Sequence, residues 1–451
     1  MSDCEESEDS CGEEQVVPKW EVRREWLEKI FIDYFKKKLL LELGEFPTSQ
    51  PEYRHVAQIE KGRIDEFEII PKCTICSTND SVLSNITRVK TGFDGSGRYK
   101  LNIIIKRLPD DPFSRFFVTE GQYDLREIKF YTQIRPDFEK FKNKHIKYNR
   151  VRDDDSFNLR VPRCYYAHYS PTGGSDDSPV PPESILVLSD QHHKCIDVKF
   201  SEGLTYKQAK AALDSIAHIH AHSLCMKVIE GQPLPERYPF LFQKAKATDS
   251  YQQLVERGFT RLAHFLERVP GMEQILEALM VLRPKTKDII MALLAPEGPL
   301  ALITHTDFWC NNLLFQDGHM GNDIACIILD WQMVAYSKAT NDVALLLVSS
   351  LPGALRRKHT DSLLDEYWWS LNYSCDALGV SIPGDLGYTR EDLTKDYRRS
   401  QLLALLLCIG SIDIALGNHQ TEKRLIDVLQ DLYQDGILTE EIAITTEAAD
   451  D

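Results

Sequence analysis

Hydrophobic positions near the start of the chain change from helical to strand-like spacing. In residues 21–43, apolar side chains recur at steps of three and four between Trp26 and Phe35, which predicts a helix. Between about Val56 and Leu108 the apolar runs are short. Residues 99–107 are rich in β-branched side chains and follow a glycine-containing turn at 94–97, so we expect a hairpin that leads into this strand.

The rest of the chain reads mainly as helix. We expect a helix over about 118–135 that ends before Pro136, then a loop-rich connector at 136–184 and a buried strand at 185–188. Helical spacing then dominates from Thr205 onward. It predicts further helices near 237–268, 271–294, 340–350, 360–377 and 399–416. A strand pair within 300–332 interrupts them, so the pattern as a whole predicts an α+β protein.

Composition and charge exclude some classes of protein. The chain has 451 residues, and its 53 Lys and Arg against 69 Asp and Glu give a net charge of −16. An acidic protein does not suit broad binding of a phosphate backbone, so we expect no nucleic-acid partner. We also expect no membrane span, because no apolar run reaches the ~18 residues required.

Cysteine usage and the chain ends suggest a cellular setting. Eleven cysteines are scattered through the chain, and no secretory signal is recognised, so we expect reduced thiols and a cytoplasmic protein. Residues 1–18 are acidic and poor in apolar side chains, which predicts a disordered tail. A second acidic tail is expected at 441–451.

The strand pair within 300–332 carries the residues best suited to chemistry. Two apolar runs flank a glycine-containing turn at 317–323, which predicts a hairpin. Asn312 precedes its first strand, Asp330 follows its second, and Asp307 lies five residues before Asn312. We therefore expect two carboxylates and one carboxamide at the same end of the hairpin.

This set of side chains suits phosphoryl transfer from a nucleotide. One carboxylate, Asp307, would accept the proton of an acceptor hydroxyl, and Asn312 and Asp330 would hold Mg²⁺ against the phosphates. The strand at 99–107 supplies a cation, Lys106, for those phosphates. Glu127 on the following helix is the available carboxylate partner for that lysine.

Each of these residues also has a plainer structural interpretation. Asp307, Asn312 and Asp330 are residue types that commonly cap turns. Lys106 could be a solvated edge-strand lysine, and Glu127 an ordinary exposed helix residue.

The wider sequence resembles a known family. The string Thr306-Asp-Phe-Trp-Cys-Asn-Asn-Leu-Leu-Phe315, with Asp330-Trp-Gln332, is similar to the signature of the insect ecdysteroid-kinase-like family, also called CHK kinase-like. That family is related to choline kinases and aminoglycoside phosphotransferases. Residues 126–131, 185–190 and 216–223 resemble three further motifs of the family, so the resemblance spans about 25–430.

The resemblance implies a fold and an activity. The fold would be a two-lobed protein-kinase-like fold, with a small β-rich N-lobe at 19–188 and a helical C-lobe at 189–440. The activity would be ATP- and Mg²⁺-dependent phosphorylation of a hydroxyl on an ecdysteroid, a xenobiotic or a similar small alcohol by a monomer.

The resemblance also implies roles for individual residues. Asp307 would be the catalytic base, Asn312 and Asp330 the Mg²⁺ ligands, and Lys106 and Glu127 the phosphate-binding ion pair. Backbone groups at Leu188, Ser189 and Asp190 would meet adenine. Asp342 would brace the catalytic loop, and His220 would pack behind that loop. In such a kinase the aromatic residues Tyr367, Trp368, Trp369 and Tyr373 are core residues or line the acceptor pocket.

Departures from the family pattern keep other functions open. Thr306 stands where the family has glycine, Ser189 stands where glutamate is usual, and the phosphate-covering turn at 76–81 contains no glycine. The turn favours an alternative, a pseudokinase that binds nucleotide or a hydrophobic ligand without turnover. Because His305, Asp307 and a later aspartate could also bind a metal ion, a metal-dependent phosphohydrolase is a further alternative.

Overall fold

A computed structural model describes residues 20–43, 53–71, 83–146, 158–175, 178–241, 244–317 and 324–443. The predicted tail at 1–18, the phosphate-covering turn at 76–81 and most of the tail at 441–451 lie outside these residues. Within the described chain, no helix is both long and apolar enough to span a bilayer.

The described residues divide into two compact units. The first consists of the described parts of Met1–Glu68 together with Lys90–Leu101. It contains helices Arg24–Leu43 (α1) and Tyr53–Glu60 (α2). Its core is aromatic, because the Phe35 ring stacks on Phe93 at 5.5 Å and on Tyr99 at 4.5 Å between ring centroids. Helix α1 is the helix predicted over 21–43.

The second unit consists of the described parts of Ile69–Val89 and Asn102–Asp451, and every element after residue 107 belongs to it. The strands of the chain's first half are Arg63–Ile70 (β1), Asn85–Asp94 (β2), Arg98–Arg107 (β3), Cys164–Ser170 (β4), Gly173–Ser175 (β5), Ser178–Val180 (β6) and Glu183–Ser189 (β7). Five of them form one sheet in the order β1–β2–β3–β7–β4, and β7 pairs antiparallel with both β3 and β4. Since Lys106 lies opposite Leu186, the register places the lysine on a central strand rather than at an edge.

Three helices follow β3, and their limits differ from the prediction. They are Pro112–Glu120 (α3), Tyr123–Lys129 (α4) and Arg135–His145 (α5). The predicted end before Pro136 is wrong, because a π-helical turn at Phe130–Ile134 joins α4 to α5 and places Pro136 in the first turn of α5. Proline is tolerated there because a first-turn N–H has no partner within its own helix. Helix α5 and strands β4–β6 also replace much of the predicted loop at 136–184.

The helical part is built around one deeply buried helix. Tyr206–Glu230 (α6) begins at Thr205, whose side chain and Gln208 form a capping box, and ends at Gly231 with φ +67°. Such a cap contributes about 1 kcal/mol. The other helices are Leu234–Arg237 (α7), Lys244–Leu266 (α8), Glu273–Leu282 (α9), Thr286–Leu293 (α10), Ala339–Ser350 (α11), Gly353–Leu378 (α12), Ile382–Leu386 (α13), Arg390–Gly410 (α14), Ile412–Ala415 (α15) and His419–Gln434 (α16). Helix α16 is absent from the predicted set.

The predicted hairpin within 300–332 is present. Its strands are Leu313–Asp317 (β10) and Ile324–Ile328 (β11), which pair from Leu313↔Ile328 to Asp317↔Ile324. Strand β10 also pairs with Ile196–Asp197 (β8). Ala301–Thr304 (β9) leads into the loop before β10 and pairs with Ala335–Lys338 (β12).

The predicted fold class is confirmed. An antiparallel five-stranded sheet precedes a mainly helical remainder, as in the α+β protein-kinase-like fold. The predicted domain limits at 188 and 440 stay a prediction.

Candidate active site

The loop between β9 and β10 is shaped by a buried carboxylate. Asp342, on the first turn of α11, is fully buried, and its two oxygens accept hydrogen bonds from the backbone N–H groups of His305 and Thr306, each at 2.7 Å. Charge-assisted hydrogen bonds of this kind are stronger than neutral ones. Asp342 therefore holds the start of the loop, as the family resemblance implied.

A second layer holds Asp342 itself. His220 on α6 donates from Nε2 to the Asp342 carboxylate at 3.1 Å, and the Tyr367 hydroxyl lies 2.8 Å from Nδ1 of the same ring. All three side chains are fully buried. His220 is thus a supporting residue behind the loop, and Tyr367 takes part in this layer rather than in a pocket wall.

The backbone of Thr306 is left-handed, with φ +66°. A β-branched residue rarely adopts this conformation, which glycine adopts at no steric cost. Because Asp342 binds the Thr306 N–H, the loop keeps this conformation although threonine replaces the family's glycine.

His305 ties the loop to the far end of the hairpin. Its Nε2 donates to the Leu329 carbonyl at 2.7 Å, and its Nδ1 accepts from the Asp307 N–H at 3.2 Å. The two bonds together require the tautomer with a proton on Nε2. His305 therefore fixes Asp307 relative to the residue that precedes Asp330.

Asp307 and Asn312 are brought together as predicted. The Asn312 amide nitrogen donates to the Asp307 carboxylate at 2.8 Å and to its backbone carbonyl at 2.9 Å. The Leu329 N–H donates to the Asn312 carbonyl at 2.9 Å, which places Asn312 opposite the end of β11. Because the amide nitrogen makes both bonds to Asp307, the amide oxygen of Asn312 is not used in them and can serve as a ligand.

Lys106 joins the two carboxylates predicted for the nucleotide site. Its Nζ lies 2.7 Å from Glu127 Oε2 and 3.0 Å from Asp330 Oδ1. The side chains of Lys106 and Glu127 are 11% and 6% exposed, whereas Asp330 is 21% exposed, so Asp330 is the more accessible acid. The structural interpretations as an edge-strand lysine and an exposed glutamate are therefore wrong.

Burial and mutual charge shift the pKa values in this cluster. Burial would lower the pKa of Lys106, but the charges of Asp330 and Glu127 together outweigh it and raise that pKa. Burial raises the pKa of Glu127 to about 7 despite the attraction of Lys106, and the negative charge of Asp330 acts in the same direction. Burial likewise raises the pKa of Asp307, and the negative charge of Asp330 acts in the same direction.

The cluster suits a divalent cation bound together with phosphate. Two acids share one lysine, so the site holds excess negative charge. Asp330 and Asn312 supply hard oxygen donors, and Mg²⁺ commonly takes one or two protein ligands besides water and phosphate oxygens. No group of three or more His, Cys, Asp or Glu side chains within the described residues could hold a metal ion without such help.

The segment predicted to meet adenine lies at the end of β7. Leu188 pairs with Ile104, two residues before Lys106, so it belongs to the same sheet as the lysine. The N–H of Ser189 donates to the Arg163 carbonyl at 2.8 Å, and that of Asp190 donates to the Asn102 carbonyl at 2.7 Å. These two N–H groups are therefore already paired within the protein. Adenine binding at Leu188, Ser189 and Asp190 stays a prediction.

A large cavity beside Asp307 could not be foreseen from the sequence. It is open to solvent on one side and is lined mainly by apolar residues of α8, α11, α14 and α16. None of Tyr367, Trp368, Trp369 and Tyr373 lines it in the described structure. The helices that form the cavity are far apart in sequence, so no local pattern announces it.

The fold and the arrangement of Lys106, Glu127, Asp307, Asn312 and Asp330 define a kinase-like protein. The sequence over residues 78–380 matches the ecdysteroid kinase-like family, EcKL. The chain belongs to this family, and this membership supports a small-molecule kinase. No curated protein matches the chain.

Several solved structures are similar to this chain at low sequence identity. An ethanolamine kinase of Plasmodium vivax is 10% identical, over 90% of this chain and 86% of that one, with a TM-score of 0.41. A choline kinase of Cryptosporidium parvum Iowa II is 12% identical, over 91% and 97%, with a TM-score of 0.40. A microcompartment-associated aminopropanol kinase is 11% identical, over 83% and 94%, with a TM-score of 0.40.

Proposed function

We propose that this protein transfers the γ-phosphoryl group of ATP to a hydroxyl of an ecdysteroid or a similar small alcohol, with Mg²⁺ as cofactor. The observation that carries the proposal is the single arrangement in which Asp307 contacts Asn312 while Lys106 contacts Asp330 and Glu127. These are the groups that such a transfer requires.

Each residue has a defined task in this proposal. Lys106, held by Glu127, binds the phosphates of the nucleotide. Asp330 and Asn312 would hold Mg²⁺, which when bound neutralises charge on those phosphates. Asp307 accepts the proton of the acceptor hydroxyl, whose oxygen then attacks the γ-phosphorus while ADP leaves.

Asp307 is prepared for this task by its surroundings. The Asn312 amide fixes the orientation of its carboxylate, and burial raises its pKa, which makes it a stronger base than an exposed aspartate. The neighbouring cavity gives an apolar alcohol room to bring a hydroxyl to this carboxylate. A cytoplasmic location fits the free thiols of Cys164, Cys225, Cys310, Cys326, Cys375 and Cys408.

The test is incubation with ATP, Mg²⁺ and a panel of ecdysteroids, choline-type amines and hydroxylated xenobiotics, with the mass gain of one phosphate as the readout. Asp307→Asn should lower the rate by about 10²- to 10⁴-fold and leave ATP affinity within a few-fold. Equal turnover by this variant would refute the role of Asp307. Bound nucleotide without turnover on any acceptor would favour the pseudokinase instead.

A further inference from the structure

The cavity beside Asp307 contains one buried positive charge. Among the described residues that line it, Asp307 and Arg424 are the charged ones, and most of the others are apolar. Arg424 lies on α16 and is only 6% exposed. A buried charge normally needs a partner of opposite sign, because removing it from water is costly.

The described structure gives Arg424 no such partner. Its Nη2 donates to the Phe200 carbonyl at 2.6 Å, and the guanidinium lies 4.3 Å from the centroid of the Phe200 ring. No acidic group of the described residues contributes to its electrostatics. The bond to the Phe200 carbonyl is neutral and uses one of the five N–H donors of the guanidinium.

Neighbouring groups do not neutralise the charge either. The thiols of Cys310 and Cys408 lie within electrostatic reach, but burial raises their pKa values to about 11 and about 12, so both are neutral at physiological pH. Arg356 is a further cation, and it is paired with Asp431. The guanidinium of Arg424 therefore offers an unmatched positive charge to whatever enters the cavity.

We propose that, among small alcohols, this site prefers apolar ones that also carry an anionic oxygen group, a carboxylate or a sulfate, and that Arg424 binds this group while Asp307 meets the hydroxyl. The inference rests on the proposed function for the role of Asp307. A planar guanidinium binds two oxygens of such a group at once. Cationic acceptors are disfavoured, because Arg424 repels them and Asp307 is the only acidic residue among the described residues that line the cavity.

The test compares acids with their uncharged esters on two molecular scaffolds, a steroid and a fatty-acid chain. The probes are cholic acid with its methyl ester and a long-chain ω-hydroxy fatty acid with its methyl ester. Wild-type protein should bind and phosphorylate at least one acid about 10- to 100-fold better than its ester, which is the range of a charge-assisted hydrogen bond. Arg424→Gln should bring this acid-to-ester ratio close to one, mainly by weakening the binding of the acid.

Two further variants separate recognition from structural support. Arg424→Lys keeps the charge and should retain part of the preference for the acid. Arg399→Gln is the matched control, since Arg399 also donates to backbone carbonyls, those of Ile442 and Ala443, and does not line the cavity. It should leave the ratio unchanged. Melting curves check that each variant folds.

Calorimetric binding without ATP keeps this inference distinct from the proposed function. Acid binding that Arg424→Gln abolishes, without any phosphorylation, would support the role of Arg424 and refute the kinase activity. Turnover of neutral alcohols with an acid-to-ester ratio near one would support the kinase activity and refute the role of Arg424. Failure of the wild type to bind either acid, or an equal loss of acid and ester in Arg424→Gln, would overturn the proposal.

Discussion

The left-handed backbone of Thr306 should make glycine more stabilising than alanine at this position. A left-handed conformation costs a residue with a Cβ about 1–2 kcal/mol, whereas glycine adopts it freely. Glycine loses about 0.5–1 kcal/mol more backbone entropy on folding than alanine. The difference between Thr306→Gly and Thr306→Ala should therefore be about 0–1.5 kcal/mol in favour of glycine, with a midpoint of about 0.8 kcal/mol.

Comparing these two variants isolates the backbone term. Both remove the Thr306 hydroxyl, which lies 3.1 Å from the Thr304 hydroxyl, so the loss of this contact cancels. Thr304 keeps Ser337 as a hydrogen-bond partner at 2.8 Å in either variant. Both also keep the backbone N–H that donates to Asp342.

The assay is urea unfolding, with the free energy of unfolding extrapolated linearly to zero denaturant. Lys395 on the exposed side of α14 serves as the control position, where Lys395→Ala should exceed Lys395→Gly in stability by about 0.8–1 kcal/mol. The order of the two variants is thus opposite at the two positions. If the alanine variant were more stable than the glycine variant at position 306, the reasoning that Asp342 imposes a strained conformation would be refuted.

Two further predictions concern buried groups. Asp342→Asn should lower the free energy of unfolding by roughly 1.5–3 kcal/mol and reduce kcat, because one of the two backbone N–H groups loses its charged acceptor. Urea unfolding and steady-state kinetics measure the two effects. An unchanged kcat, or an equal effect of Asp376→Asn at an exposed position, would contradict the prediction. Burial lowers the pKa of His222 to about 4 in the folded state, while the unfolded side chain titrates near 6.5. The unfolded chain therefore binds more protons between these values, and stability should fall by about 3 kcal/mol as the pH drops through that window. His222→Phe should flatten the pH dependence of unfolding and the exposed His419→Gln should not, whereas an unaltered slope in His222→Phe would exclude His222 as its source.

The hairpin that holds the candidate site could be predicted because its signals are local. Two apolar runs and a glycine-containing turn define β10 and β11, and pairing of the runs necessarily places Asn312 near Leu329. The contact between Lys106 and Glu127 could be predicted as well, because the two residues are only 21 positions apart, on β3 and α4. Their functional roles stay predictions.

Other features depend on packing between distant segments. Local rules predict that a helix ends before Pro136. In the structure a π-helical turn precedes α5, and Pro136 lies in the first turn of that helix. Helix α16 carries apolar residues at Leu425, Val428, Leu429 and Leu432, a spacing that signals a helix, but the position of Arg424 in a cavity wall follows only from the arrangement of four helices. Likewise, nothing in the spacing of His220 and Tyr367 reveals that they meet.

The stacked rings of Phe130 and Trp331 have a mechanical consequence. Their planes are parallel to within 1°, with centroids 3.8 Å apart, and each ring follows closely after one of the two acids that share Lys106. Separating Glu127 from Asp330 would break this stack, so the stack opposes such a separation. The stack therefore stabilises the geometry in which both carboxylates contact Lys106.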